Sequence, residues 1–232
     1  MNGNRAVQPR KKFILNDYRQ PLPATAEPLP GGKYPAQLMW EQKNNGDIVM
    51  KVQDGIYKEG GRNTHKEVVM DNGDRGILFE AMLEAANNPE FTFRKVIPRR
   101  KQFIQGPGGG KMSDSPVVQV NLMVTREESG LITLGYSKGD YKAVFRFNGP
   151  RDMVVMMKGP DGNAVEDIGM LSRWNVRAYI KFHSKVLDQM ECDGWEPPKP
   201  RDGGNNNQQQ NRNNNNSFND SDDSGGGFDD EF

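Results

Sequence analysis

The chain has 232 residues, 34% of them apolar, with 31 Lys and Arg against 31 Asp and Glu. No run approaches the roughly 20 apolar residues of a membrane span, the opening MNGNRAVQPRKK has no apolar stretch like that of a secretory signal, and one cysteine, Cys192, fits a reducing compartment, so a cytoplasmic protein without a membrane partner is expected. The balanced charge hides a segregation. Residues 217–232 hold six acids and no base, which leaves 31 bases against 25 acids elsewhere: a basic body and an acidic appendage.

In chain order, residues 1–32 read as a basic, Pro-rich arm, with Arg5, Arg10, Lys11, Lys12 and Arg19 followed by prolines at 21, 23, 28 and 30. Proline lacks an amide donor and restricts its predecessor, so an extended course is expected there. Residues 33–196 then carry period-two apolar alternation, the signature of half-buried strands. Short strands are expected at QLMWEQ, at DIVMKVQD with Ile48, Met50 and Val52 on one face, and at KEVVM. The one clear helix is DNGDRGILFEAMLEAANN, at about 73–87, capped by Asp71 or Asn72 with Leu78, Met82 and Ala85 on one side.

Strands resume at FTFRKVI, with Phe91 and Phe93 sharing a core face, and at VVQVNLMV with Val118, Val120, Leu122 and Val124. LITLGY, YKAVFRF and MVVMM follow. Residues 165–172 suggest a short second helix. RWNVRAYIKFHSKVL alternates Trp174, Val176, Ala178, Ile180 and Phe182 with polar neighbours and reads as a strand. NNGD, ESG, SKGD and PDGN supply the Gly, Asn and Asp that tight hairpins need. From 197 on, PPKPRDGG, NNNQQQNRNNNN and the acidic end form a Gly/Asn/Gln-rich linker and tail too poor in apolar residues to order. The expected fold is α+β, mostly antiparallel β: a twisted sheet or open OB-like barrel with one packed helix, flanked by disordered tails.

The densest mixture of bases and aromatics is FTFRKVIPRRKQFIQGPGGGK. Arg94 and Lys95 follow the phenylalanines, Arg99, Arg100 and Lys101 precede Phe103, and a glycine loop ends in Lys111. Cations neutralise phosphates, and aromatic faces stack on unpaired bases whatever their sequence. A second surface lies in YSKGDYKAVFRF: with Tyr141, Phe145 and Phe147 inward, Lys142 and Arg146 project from the opposite face, near Tyr136 and Lys138. The third comprises Arg173, Arg177, Lys181 and Lys185, of which Arg177 and Lys181 share a polar face with Tyr179. Tyr136, Tyr141 or Phe103 is the expected stacking platform.

Enzymatic patterns are weaker. GPGGGKM places three residues between Gly106 and Gly110 where a phosphate-binding Walker loop needs four, and Met112 follows where Ser or Thr belongs. His65 and His183 are far apart, and Cys192 has no second cysteine for zinc. The acid pairs Glu127–Glu128 and Glu166–Asp167 show no metal-ligand spacing. No cofactor, no metal and no catalytic residue is expected, although a metal-dependent nuclease built on dispersed carboxylates is the rival from another class.

The basic β-rich body, the linker and the ending FDDEF, with Phe228, Asp229, Asp230, Glu231 and Phe232, resemble the single-stranded DNA-binding proteins of bacteria and their phages. The ending Glu231–Phe232 replaces the Pro–Phe of the bacterial tip and is similar to phage versions. That resemblance implies a non-enzymatic protein that coats single-stranded DNA with little sequence preference and recruits replication, recombination or transcription proteins through its tail. A homo-oligomer is expected because one short groove holds only a few nucleotides, and the cytoplasm is that of a bacterial host if the chain is phage-encoded. The chain is also similar to phage single-stranded DNA-binding RNA polymerase cofactors, which implies a strand-binding protein that loads a polymerase. RNA is an alternative ligand, since stacking and phosphate contacts serve both nucleic acids.

Overall fold

The computed structural model of the chain describes residues 15, 22–56, 64–106, 109–148 and 153–194. The chain divides into two units, Met1–Trp195 and Glu196–Phe232, and the fold below belongs to the first. The acidic tail and its linker lie outside the described residues.

Eight antiparallel strands form one strongly curled half-barrel, an open OB-like form, to which two helices are added. In chain order the strands of this sheet are β1 (Ala24–Pro28), β2 (Pro35–Gln42), β3 (Ile48–Gln53), β4 (Glu67–Val69), β5 (Phe93–Val96), β10 (Asn121–Arg126), β11 (Ile132–Lys138) and β12 (Tyr141–Arg146). Their spatial order is β4-β3-β2-β1-β12-β11-β10-β5. Between β5 and β10 the chain leaves the sheet to make two small ribbons. In one, β6 (Arg99–Arg100) pairs with β9 (Val117–Val118); in the other, β7 (Phe103–Gly106) pairs with β8 (Gly109–Met112). A further hairpin pairs β13 (Met156–Lys158) with β14 (Ala164–Glu166).

Alternation explains the core. Ile48, Met50 and Val52 are buried, as are Leu122, Val124, Ile132, Leu134, Tyr136, Ala143 and Phe145. All four expected turns carry a glycine with positive φ: Gly46, Gly130, Gly139 and Gly162. At Gly130 the requirement is also steric, because an added Cβ would lie 2.8 Å from the Gly169 Cα at the start of the second helix.

Helix α1 (Asn72–Asn87) is capped by Asp71, whose Oδ1 accepts from the Asp74 amide at 2.9 Å. Helix α2 (Ile168–Asp193) corrects the strand expected at 173–187, and its first turns, 168–172, fall within the short helix expected at 165–172, of which only 165–167 is not helical. Its buried positions Ser172, Asn175, Val176, Tyr179, Ile180, His183 and Leu187 recur at three and four residues, whereas Trp174 and Ala178 are exposed. Two polar groups that the helix buries are bonded to the sheet. Trp40 Nε1 donates to Tyr179 Oη at 2.8 Å, and the Ile132 amide donates to Ser172 Oγ at 2.8 Å. The fully buried Arg75 ties the helices together, donating to Met70 O at 3.0 Å and pairing with Asp188 and Glu191 of α2.

Residues expected as an N-terminal arm also contribute to this unit. Ala24–Pro28 is β1 and lies between β2 and β12, and Leu15 is buried in the core. The remainder of 1–21 falls outside the described residues.

Burial pushes the His183 pKa down to about 4, so the imidazole is neutral in the folded protein at pH 7. The unfolded chain takes up this proton near pH 6.5, before the folded one does. Stability is therefore expected to fall by about 3 kcal/mol as pH drops from 6.5 to 4, and to stop responding to this group below that. Urea midpoints across the window check it. His183→Phe should flatten the slope there; an unchanged slope contradicts the assignment.

Candidate nucleic-acid interface

The helices cover one face of the sheet and leave the other open. On that open face the register places Lys95, Met123, Gly135 and Val144 in one row, because Met123 pairs with both Lys95 and Gly135, and Gly135 with Val144. A second row runs Phe93, Thr125, Thr133 and Arg146, and a third runs Asn121, Ser137 and Lys142. Phe93 is 55% exposed, Met123 44% and Val144 53%, which is unusual for three large apolar side chains on neighbouring strands. Lys95, Lys142 and Arg146 stand among them, exposed, with no ion pair among the described residues.

Charge divides the sheet. Strands β5, β10, β11 and β12 contain Arg94, Lys95, Arg126, Lys138, Lys142 and Arg146 and no acid. On β2 to β4, by contrast, Lys43 and Lys51 are paired with Glu41 and Glu67 at 2.9–3.1 Å. Of the cations on β5, β10, β11 and β12, Arg94 alone has an ion pair among the described residues, to Glu84, whereas the other half neutralises its own charge.

The ribbons β6–β9 and β7–β8 extend this half. Arg99 and Lys101 are exposed, and Lys111 is 73% exposed with Asp114 at 3.7 Å. Of the glycine loop expected at 106–110, Gly106, Gly109 and Gly110 are strand residues of the β7–β8 ribbon, and 107–108 lie outside the described residues. Phe103 lies across Gly110, where a Cβ would be 1.8 Å from its Cζ, so the absence of a side chain at 110 lets the ring rest on the backbone with 65% of its surface exposed. Ile104, Met112, Val117 and Val118 are exposed on the same ribbons.

Other expected site residues are placed differently. Tyr136 is 1% exposed and donates to His65 O at 3.0 Å, so it is core and cannot stack on a base. Tyr141 meets Tyr136 edge-on and donates to Asp54 Oδ2 at 2.7 Å on the inner side. Lys138 also points inward, its Nζ donating to Glu67 O at 2.6 Å, and burial holds its pKa below the usual lysine value. Strand parity is the reason: Tyr136 and Lys138 alternate in phase with Ile132 and Leu134.

Arg100 is half-buried and fixed to Asp71 and Asp74 at 2.9 and 3.2 Å, which anchors the base of the ribbons to α1. Arg94 is bound to Glu84 at 2.6 Å and lies over the Phe91 ring. Arg177 bonds Asn87, and with Lys181 it occupies the solvent side of α2, beyond the core from the open sheet face. These two do not join the surface. Phe91 is core as expected, but Phe93 is not, because β5 begins only at Phe93. The partner-binding tail Phe228–Phe232 lies outside the described residues.

The residues that sequence reasoning missed are Met123 and Val144, whose signal was an apolar side chain at a position of wet-face parity. Of the acid pairs, Glu127–Glu128 borders the β10–β11 turn, Glu166 ends β14, and Asp167 caps α2 by accepting from Met170 N at 2.7 Å. Among the described residues no group of three or more His, Cys, Asp or Glu is placed to hold a metal ion. No described helix is long and apolar enough to cross a membrane. Comparison with protein-family models, with curated proteins and with solved structures gave no match.

Proposed function

We propose that this protein binds single-stranded DNA, without catalysing its change, across the open face of β5, β10, β11 and β12 and the adjoining ribbons. The observation that carries the reading is the company those cations keep. Four neighbouring strands without one acid present Lys95, Lys142 and Arg146 among exposed Phe93, Met123 and Val144. A duplex keeps its base faces stacked inside the helix, whereas an unpaired strand exposes them beside its phosphates, and this surface has groups for both. Arg99, Lys101 and Lys111 continue the phosphate track, and Phe93 and Phe103 are the stacking platforms in place of Tyr136 and Tyr141.

In this reading the six acids of residues 217–232 form a tethered polyanion that competes with the strand, and Phe228 to Phe232 engage replication, recombination or transcription proteins in the cytoplasm. Several copies side by side would lengthen the track. Fluorescence anisotropy with a labelled oligodeoxynucleotide, its duplex and the matching RNA over a salt series tests the function. Single-stranded DNA should bind best, and affinity should fall linearly in log–log salt with a slope of about −0.7 per phosphate contact. Deleting 217–232 should tighten binding at low salt. Equal affinity for duplex and single strand would overturn the reading.

A further inference from the structure

Where the ribbons leave the sheet they form a cleft of about 180 Å³ against the β11–β12 turn, lined by His65, Gln102, Val118, Gln119, Val120, Asn121, Ser137, Lys138 and Gly139. It is smaller than the cavities that take whole cofactors, roughly 300–1,000 Å³, and suits one flat heterocycle. Its polar lining is dominated by carboxamides. Gln102 Nε2 donates to Gln119 Oε1 at 3.2 Å, and Gln119 Nε2 donates to Val117 O at 3.0 Å, so each amide is oriented by the next. Gln102 keeps its own Oε1 and one N–H for a ligand. The half-buried Asn121 carboxamide bonds none of the described residues, although it lines the cleft with both a donor and an acceptor to offer.

The cleft adjoins the cationic face. Asn121 and Ser137, both on its wall, stand in one register row with Lys142. A strand whose phosphate sits at Lys142 therefore has its base beside the amides. Gly139 has φ of +58°, and a Cβ there would be 3.4 Å from His65 Nδ1, so the turn lies close against the imidazole of His65, an exposed residue that lines the cleft.

We propose that this cleft is a nucleobase pocket, in which one unstacked base of the bound strand is hydrogen-bonded along its edge by Gln102 and Asn121 and stacked on His65. The inference rests on the single-strand reading above and adds to it a base preference at one position, superposed on phosphate contacts that have none. Carboxamides carry a donor and an acceptor side by side, the arrangement that reads a base edge by paired hydrogen bonds.

The test is a comparison of ratios in the full-length protein. Oligo(dA), oligo(dC) and oligo(dT) of one length are titrated against the natural protein and against Gln102→Leu/Asn121→Leu at fixed salt. Homopolymers differ in stacking and stiffness, so the variant supplies the reference. The natural protein should separate best from worst base by roughly tenfold more than the variant does, with the salt slope unchanged. The same ratio in both proteins overturns the pocket while leaving strand binding intact. Failure of the natural protein to bind any homopolymer overturns the strand reading, and the pocket with it. Should the double variant lose its melting transition, Asn121→Asp takes its place: exchanging a donor for an acceptor should reorder the preference among bases, and an unaltered order counts against the pocket.

Discussion

Replacing Lys95, Arg99, Lys101, Lys142 and Arg146 together by glutamine should lower affinity for single-stranded DNA on the order of a thousandfold at 0.1 M salt and flatten the log–log salt slope by about 3.5. Both numbers come from one cause, the counterions that five cations release when they meet phosphates. All five are exposed, and none has an ion pair among the described residues, so their removal costs the fold little. Arg177→Gln/Lys181→Gln is the control. It removes as much charge per residue from the far side of α2, and its salt slope should match that of the natural protein. If both variants weaken binding in proportion to the charge removed, net charge rather than this surface governs association.

Asp54→Ala should destabilise the protein by about 3–5 kcal/mol, the range for breaking a buried ion pair. Lys66 is 8% exposed and Asp54 5%; Lys66 Nζ donates to Asp54 Oδ1 at 2.5 Å and to Ile56 O. The same carboxylate accepts from the Ile56 amide at 2.9 Å and the Tyr141 hydroxyl at 2.7 Å. Alanine leaves a buried ammonium and a phenol without this partner. Burial raises the Asp54 pKa, but the Lys66 ammonium, the Ile56 amide and the Tyr141 hydroxyl more than offset it and hold it below the usual aspartate value. Its contribution is thus present above about pH 4 and lost as pH falls through that lowered value. By contrast Glu41→Ala, in the more exposed network with Lys43 and Lys51, should cost about 1 kcal/mol or less. Urea midpoints compare the two. A shift for Asp54→Ala no larger than for Glu41→Ala would contradict the account of the pair, which also seats Tyr141 at the start of the strand that carries Lys142.

The strands and turns were legible because half-buried antiparallel strands alternate and because positive φ favours glycine; Gly46, Gly130, Gly139 and Gly162 mark their turns in the sequence as in the structure. Helix α2 was hidden by its chemistry. It buries Ser172, Asn175 and His183 and exposes Trp174, so a pattern of apolar against polar does not track inside against outside. Strand β1 was hidden by the prolines at 23 and 28 that bracket it. In VVQVNLMV one alternating run spans two elements, because β9 ends at Val118 on a ribbon and β10 starts at Asn121 in the sheet.

For the interface, the bases were readable and their grouping only partly so. Lys142 and Arg146 face outward as the parity of Phe145 demanded, and the same rule sends Tyr136 and Lys138 inward. Arg177 and Lys181 belong to a run that alternates like a strand, and because α2 is a helix they stand away from the surface. The amide cleft had no signal, since Gln102, Gln119, Asn121 and Ser137 become a group only when the ribbons fold beside the β11–β12 turn.

The central claim is that an unpaired strand lies on the helix-free face of the sheet and on the ribbons beside it. Photocrosslinking with a 5-iodouracil-substituted oligodeoxynucleotide, followed by peptide mapping, reads that contact directly. Adducts are predicted at Phe93 and Phe103 and on the peptide carrying Lys142 to Arg146. Adducts confined to α2, or spread evenly over both faces of the molecule, would contradict it.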